Sequence, residues 1–249
     1  MITGMLREAK WIWGHRGALA LEPENTIPSF LLAYEQQVDG IELDVQLSAD
    51  GVVVVLHDGT LDRTTNGTGW VGAYNWSTLQ QLRARYPDGA VSDIPIPRLE
   101  EVFDALPNDT VLCIEYKNGP YYYPHLVEKT LDIVKRYHAS SRIIVSSFDQ
   151  FALVESAGLA PEIPRAVAWM GRMVEPWGVA RAAKASWVHV HKDSVPLDDL
   201  RRIKESGLQI AVWGLKSAKD ASHLAMHYVD AVFVDDPGWA KNLVHLEHR

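Results

Sequence analysis

Two carboxylates two positions apart, Glu42 and Asp44 in Ile41-Glu42-Leu43-Asp44-Val45, are the first residues in this chain whose types and spacing suggest chemistry. On a strand, side chains two apart leave from one face, so both acids point one way while Ile41, Leu43 and Val45 point the other. The same spacing pairs Glu115 with Lys117. Like charges set side by side in an interior repel and are costly to bury unless a proton or a cation sits between them. With Glu115 from an adjacent strand the set offers three hard oxygen ligands. Such a set suits Ca²⁺ or Mg²⁺, with water or substrate oxygens completing the shell, and a chain with one Cys is poorly equipped for structural zinc.

Imidazoles accompany these acids. Ser48-Ala49-Asp50-Gly51 is a turn signal, and Val52-Val53-Val54-Val55-Leu56-His57 after it reads as the return strand of a hairpin. If Ala49-Asp50 forms the loop, His57 faces Glu42; if Asp50-Gly51 forms it, His57 faces Asp44. His15, at the end of the first strand, is the second imidazole. Attack at phosphorus needs a base for the nucleophile's proton and an acid for the leaving alkoxide, and His titrates near neutral pH. Arg16 and Lys117 are suited to hold phosphoryl oxygens, the first as a fork and the second as a point charge. Together these residues read as a site for metal-assisted phosphoester chemistry.

The elements that must position them alternate. Strand candidates are Trp11–Gly14, Ile41–Leu47, Val111–Tyr116, Arg142–Ser146, Arg165–Trp169, Trp187–Val190, Gln209–Trp213 and Ala231–Val234. Between them lie segments of helical period at Thr26–Gln36, Pro124–Tyr137, Phe148–Ala157, Pro176–Lys184, Pro196–Ser206, Ala218–Met226 and Gly238–His245, several opened by Pro or by a capping side chain such as Asp149 or Ser217. Eight strand-helix units predict an α/β fold, a (β/α)8 TIM barrel, in which strand C-termini and the loops after them surround one pocket. The candidate residues fall at those termini. The stretch Gly59–Asn108, rich in Gly, Pro, Asn, Thr and Trp, breaks the rhythm and is expected to be a small insertion after the second strand, with short helices near Trp76–Tyr86 and Leu99–Leu106. The organisation expected is one domain over residues 1–249 with 59–108 as an inserted subdomain.

Composition narrows the function classes. The 249 residues include 24 Lys+Arg against 32 Asp+Glu, a net charge of −8 without a basic run, so nucleic acid is a poor partner. At 47% hydrophobic residues the chain can bury a large core, which excludes a disordered polymer. Residues 1–10 mix charge with short apolar pieces unlike a signal peptide, and no apolar run is long enough to span a bilayer. A cytoplasmic location is the expectation, and the lone Cys113 fits a reducing compartment. An acidic chain of this kind is compatible with a monomer or a homodimer.

The ordered strings His15-Arg16-Gly17, Pro23-Glu24-Asn25-Thr26, Glu42-Leu43-Asp44, His57-Asp58, Thr64-Thr65-Asn66-Gly67-Thr68-Gly69, Glu115-Tyr116-Lys117, Ser146-Ser147-Phe148 and Asp235-Asp236-Pro237 resemble the glycerophosphodiester phosphodiesterase family, in particular its cytosolic bacterial members. The resemblance covers nearly the whole chain. It implies a barrel with an inserted subdomain and hydrolysis of glycerophosphodiesters to sn-glycerol 3-phosphate and an alcohol, with a divalent metal, Ca²⁺ or Mg²⁺. By matching position it implies Glu42, Asp44 and Glu115 as metal ligands, His15 and His57 as general acid and base, Arg16 and Lys117 as phosphate ligands, and Trp213 as an aromatic residue near the glycerol or leaving group. The nucleophile it implies is water or the substrate's own 2-hydroxyl. Two departures, Trp213-Gly214-Leu215-Lys216 and Val234-Asp235-Asp236-Pro237 where the family commonly carries Trp-Thr-Val-Asn and Thr-Asp before Pro, bear on alcohol preference rather than reaction class.

The rival readings are a lysophospholipase D-type activity on lysophospholipids, which requires an apolar, membrane-facing mouth, and a non-catalytic barrel that binds glycerophosphodiesters. No basic amphipathic helix supports stable membrane association. His125, His138, His223, His227, His245 and His248 are read as structural, and His189 and His191 stay outside the catalytic set. Trp11, Trp13, Trp70, Trp76, Trp169, Trp177, Trp187 and Trp239 are read as packing anchors. Tyr121-Tyr122-Tyr123 either lines the mouth or caps a helix.

Overall fold

A computed structural model describes residues 11–222 and 224–240. In chain order its strands are β1 (Trp11–Gly14), β2 (Gly40–Leu47), β3 (Val53–Val55), β4 (Arg83–Arg85), β5 (Val91–Pro95), β6 (Leu112–Tyr116), β7 (Ile143–Ser147), β8 (Arg165–Trp169), β9 (Trp187–His191), β10 (Gln209–Leu215) and β11 (Ala231–Val234). Eight of them pair in parallel in the order β1-β2-β6-β7-β8-β9-β10-β11, and β11 returns to β1 to close the barrel. All eight coincide with the expected strands to within two residues at either end. The helices are α1 (Ile27–Glu35), α2 (Trp76–Leu79), α3 (Leu99–Ala105), α4 (Leu126–Arg136), α5 (Gln150–Leu159), α6 (Pro176–Ala182), α7 (Leu197–Glu205) and α8 (Ala218–Ala221). The Asp149 side chain accepts the Phe151 N–H at 3.0 Å and starts α5, and Ser217 with Asp220 forms a capping box on α8.

Alternation sets what each strand contributes. Ile41, Leu43 and Val45 of β2 are fully buried in the large core that also holds Phe30 of α1 and Leu99 of α3. The opposite face carries Glu42, Asp44 and Gln46 into the barrel. Register carries this face around the barrel: Glu42 lies beside Cys113, Asp44 beside Glu115, and Glu115 beside Ser146. The interior below these polar residues is a second apolar cluster, with Trp13, Trp187 and Phe233 fitted among Ala166, Ala211 and Ala231. Large side chains on some strands are matched by small ones on others, so the lower barrel is filled and the polar layer has an apolar floor.

Three expectations are corrected. The hairpin after β2 has neither two-residue loop: Val45 pairs with Val55, Gln46 with Val54 and Leu47 with Val53, so three residues, 49–51, form the turn and Gly51 takes φ +77°. Continued in that register, His57 would oppose Leu43 on the helix side. The ladder instead ends at Val55, and buried Gln46 captures the departing chain by donating from Nε2 to the carbonyls of Leu56 at 2.8 Å and Asp58 at 2.7 Å. The short helix expected over Trp76–Tyr86 stops after α2, because 83–85 pair antiparallel with 91–95 around the Pro87-Asp88-Gly89 turn. Helix α8 ends at Ala221, with a 3₁₀ turn at Met226–Tyr228 in place of a helix running to Met226, and His223 between them lies outside the described residues. Residues 237–240 are helical, while the rest of the expected 238–245 helix, His245, His248 and residues 1–10 lie outside the described residues.

The burial of Leu43 against the helix layer yields a direct test. Leu43→Ala should lower unfolding stability by about 2–5 kcal/mol, and Leu43→Met by less than about 1.5 kcal/mol, measured as the shift in urea midpoint at constant slope.

Candidate active site

The turn after β1 is built to aim two side chains at the acids of β2. Arg16 has φ +51° and Gly17 φ +86°, a left-handed pair in which a Cβ on Gly17 would lie 2.4 Å from Ser29 Oγ. This sharp reversal lets the Arg16 backbone N–H donate to Glu42 Oε2 at 2.9 Å, while its side chain turns toward Asp44, with Nε 3.4 Å from Oδ2. Asn25, also left-handed at φ +58°, grips Asp44 twice, donating from Nδ2 to Oδ2 at 2.7 Å and accepting the Asp44 N–H at 3.2 Å. Lys117 Nζ reaches Asp44 Oδ1 at 3.0 Å and also binds Glu115 Oε1.

One ligand oxygen from each of Glu42, Asp44 and Glu115 lies within 4.8 Å of the others. Oxygens each about 2.3–2.6 Å from a Ca²⁺ ion can be at most about 5 Å apart, so the cluster has the span of a hard-cation site. His15 and His57 line the same pocket of about 450 Å³, together with Arg16, Lys117, Ser146, Phe148, His189 and Trp213. Every residue that sequence reasoning nominated is therefore at this one mouth. Each imidazole has a carboxylate behind it: His15 Nδ1 lies 2.7 Å from Asp235 Oδ1, and His57 Nδ1 lies 2.6 Å from Asp58 Oδ1. An Nδ1–H donated to a carboxylate leaves the opposite nitrogen, Nε2, to accept or deliver a proton. Trp213 meets His191 at 4.5 Å and Phe148 at 6.3 Å between ring centroids, both edge-on.

Charge in the site is unevenly held. Burial, reinforced by Asp44 and Glu115, pushes Glu42 well above the ordinary glutamate value. Burial pulls Asp44 the same way, but Lys117, His57 and Arg16 and the Asn25 hydrogen bond override it and hold its carboxyl below the usual range. Lys117 is held above the ordinary lysine value because Asp44 and Glu115 outweigh its burial. Three carboxylates against Arg16 and Lys117 leave one negative charge, which a dication would offset.

Several partners escaped sequence reasoning. Asp235 stands in the sequence only within the Asp235-Asp236-Pro237 string, with nothing to pair it with His15, and Gln46 has no visible role there, although its inward parity with Glu42 and Asp44 is there to read. Glu24 and Arg63 lie in loops, where no periodicity fixes direction. Of the tyrosine triplet, Tyr123 is buried and donates to Gln46 Oε1 at 2.9 Å, while Tyr121 and Tyr122 line a groove that leads from the site.

Residues 15–239 match the glycerophosphoryl diester phosphodiesterase family. A glycerophosphodiester phosphodiesterase of Caldanaerobacter subterraneus is 35% identical over 232 residues, covering 92% of this chain and 96% of that one. An Oleispira antarctica phosphodiesterase, solved with the product sn-glycerol-3-phosphate, superposes with a TM-score of 0.85 at 26% identity over 96% of this chain and 98% of its own. A glycerophosphodiester phosphodiesterase of Agrobacterium tumefaciens superposes at 0.78 with 30% identity, over 94% of this chain and 99% of its own.

His189 differs from the other two pocket imidazoles. It is 3% exposed and packed edge-on between Trp13 and Phe233, its Nε2 has no hydrogen-bond partner, and burial pushes its pKa down to about 3. Because the unfolded chain protonates this residue near pH 6.5 and the folded chain resists, the unfolded state binds more protons below that value and stability falls as the pH drops. At pH 4.5 the penalty is about 2–3 kcal/mol. His189→Leu should therefore flatten the acid side of the stability curve between about pH 6.5 and 4, checked by urea unfolding at a series of pH values.

Proposed function

The chain belongs to the glycerophosphoryl diester phosphodiesterase family and hydrolyses glycerophosphodiesters, and we propose that it does so with a divalent cation, Ca²⁺ or Mg²⁺, held by Glu42, Asp44 and Glu115, and with His15 and His57 as the acid-base pair. The observation that carries this reading is the convergence of three carboxylates and two carboxylate-backed imidazoles on one pocket. The product is sn-glycerol 3-phosphate, the compound bound in the Oleispira antarctica structure. The organisation is one domain with 59–108 as an inserted subdomain.

The cation, when bound, supplies positive charge against the phosphodiester and the developing charge of the displacement. The chain supplies the rest. Arg16 and Lys117, already drawn toward the acid cluster, bind phosphoryl oxygens and orient the phosphorus. One imidazole removes the proton from the attacking hydroxyl, of water or of the substrate's 2-position, through Nε2. The other delivers a proton to the leaving alcohol oxygen. Asp235 and Asp58 hold the rings in the tautomer that keeps both Nε2 atoms available. Trp213 and Phe148 supply the apolar wall against which the glycerol or leaving group packs.

One observation favours a second substrate class alongside the first. The groove beyond the pocket is bordered by Tyr122, 74% exposed, and Phe151, 86% exposed, as an acyl chain would require. Lysophospholipids share the glycerophosphodiester head and would lay that chain in the groove. Among the described residues no helix is long and apolar enough to cross a membrane.

Release of sn-glycerol 3-phosphate is expected from glycerophosphocholine, glycerophosphoethanolamine and glycerophosphoglycerol, lost in EDTA and restored by Ca²⁺ or Mg²⁺. Silence on all three under every metal condition, with turnover of lysophosphatidylcholine, would transfer the assignment to lysophospholipids; silence on every diester would leave a binding protein. His15→Ala and His57→Ala should each lower kcat by about a hundred- to ten-thousand-fold while the metal-induced rise in Tm persists. Asp44→Asn should abolish that rise, which a scan with and without the ion reads directly.

A further inference from the structure

Arg63 lies between β3 and α2, on the inserted segment rather than on a barrel strand, and its guanidinium joins two carboxylates that belong to different parts of the site. Nε and Nη2 donate to Asp58 Oδ2 and Oδ1 at 2.7 and 2.8 Å. Nη1 and Nη2 donate to Glu24 Oε2 and Oε1 at 2.6 and 2.9 Å. Four of the five N–H donors are thus arranged as two bidentate forks from a single plane, which fixes each carboxylate in angle as well as in distance.

Both carboxylates hold a pocket residue on their other side. Asp58 Oδ1 accepts from His57 Nδ1 at 2.6 Å, and Glu24 Oε1 accepts from Arg16 Nη1 at 2.8 Å. The chain of contacts therefore runs His57, Asp58, Arg63, Glu24, Arg16, and Arg63 is its midpoint. We propose that Arg63 is a positioning residue of the hydrolytic site, setting the His57 tautomer and the direction of the Arg16 guanidinium through one planar group supplied by the insertion. The proposal rests on the roles assigned above to His57 and Arg16.

Arg63 is about half exposed, and an ordinary ion pair so exposed contributes little. The geometry here has a different use. Without Arg63, Asp58 keeps only its hydrogen bond to His57 and is free to swing into solvent, taking the tautomer constraint with it. Glu24 likewise loses its second anchor, and the Arg16 side chain can settle onto Asp44. The segment that carries Arg63 is itself held firmly: Thr65 Oγ1 donates to the Leu61 carbonyl at 2.7 Å and accepts the Gly67 N–H at 2.9 Å, and the Arg85 N–H donates to the Thr64 carbonyl at 2.8 Å. A rigid loop carrying a rigid fork can transmit position; a lysine in its place would offer a point charge and neither fork.

The competing role is structural, with Arg63 tying the insertion to the loop before α1. Arg63→Ala separates the two. With glycerophosphocholine and saturating metal, kcat should fall by roughly ten- to a hundred-fold and KM should rise, with little change in Tm. Millimolar guanidinium chloride should restore several-fold of the lost kcat, and sodium chloride at the same concentration should not. Nitrogen-15 spectra of labelled histidine should show His57 as the Nδ1–H tautomer in the wild type and as a tautomer mixture in the variant. Unchanged kcat with an unchanged tautomer, or a loss of activity that follows Tm and resists guanidinium, would overturn the proposal. A wild type that turns over no diester would count against the hydrolytic reading alone, since the His57 spectra still decide whether Arg63 sets the tautomer.

Discussion

Three carboxylates whose oxygens lie within 4.8 Å of one another inside a protein form an unstable arrangement, and much of this structure can be read as its accommodation. Glu42, Asp44 and Glu115 come from two neighbouring strands whose parallel register sets Asp44 beside Glu115, with Glu42 two residues before Asp44 on the same face. Their mutual repulsion is met from several sides: Lys117 from the end of β6, Arg16 from the turn after β1, and Asn25 from the loop before α1. These are the same groups that an anionic diester would need. The fold thus places Arg16 and Lys117 where the acids themselves call for cations, and the residual negative charge is what a dication can satisfy.

The barrel contributes depth and dryness. Its lower interior is filled by Trp13, Trp187 and Phe233 against alanines, so the polar layer rests on an apolar floor and its hydrogen bonds face little competition from water below. Above that floor, polarity is graded by strand. The β2–β6 side carries the acids, whereas the β8–β10 side carries Ala168, His189 and Trp213. A substrate with an anionic centre and a less polar end meets both halves in the matching order. The unpartnered Nε2 of His189 falls on the less polar side, where burial keeps the ring neutral and it adds no charge to the acid cluster.

The insertion after β3 is part of the same machinery. Gln46, one pleat beyond Asp44, holds the His57-Asp58 turn through two carbonyls, and Tyr123 secures Gln46 in turn. Trp70 of the insertion donates to the Tyr123 hydroxyl at 3.1 Å. The position of His57 therefore depends on residues from β2, from the loop after β6 and from the insertion together. Substitutions far from the acids in sequence reach the site through this lattice.

The barrel, and the gathering of the candidate residues at one mouth of it, were legible in the chain because they depend on periodicity and residue type. Strands of alternating polarity fix which side of the sheet Glu42, Asp44 and Glu115 occupy, and eight strand-helix units leave few architectures open. The insertion was legible as a break in rhythm, but its β4–β5 hairpin was not, since Arg83-Ala84-Arg85 carries no apolar alternation of its own and is a strand by virtue of its partner. The hairpin register was misjudged for a related reason: one residue in a loop reverses the face of every side chain beyond it, and a turn signal alone does not count loop residues. The direction of His57, the service of Asp235 to His15 and the double fork of Arg63 depend on side chains meeting from segments up to 220 residues apart in the chain. Local sequence determines which face a residue takes on its own strand; only the closed barrel decides which residues it will meet there.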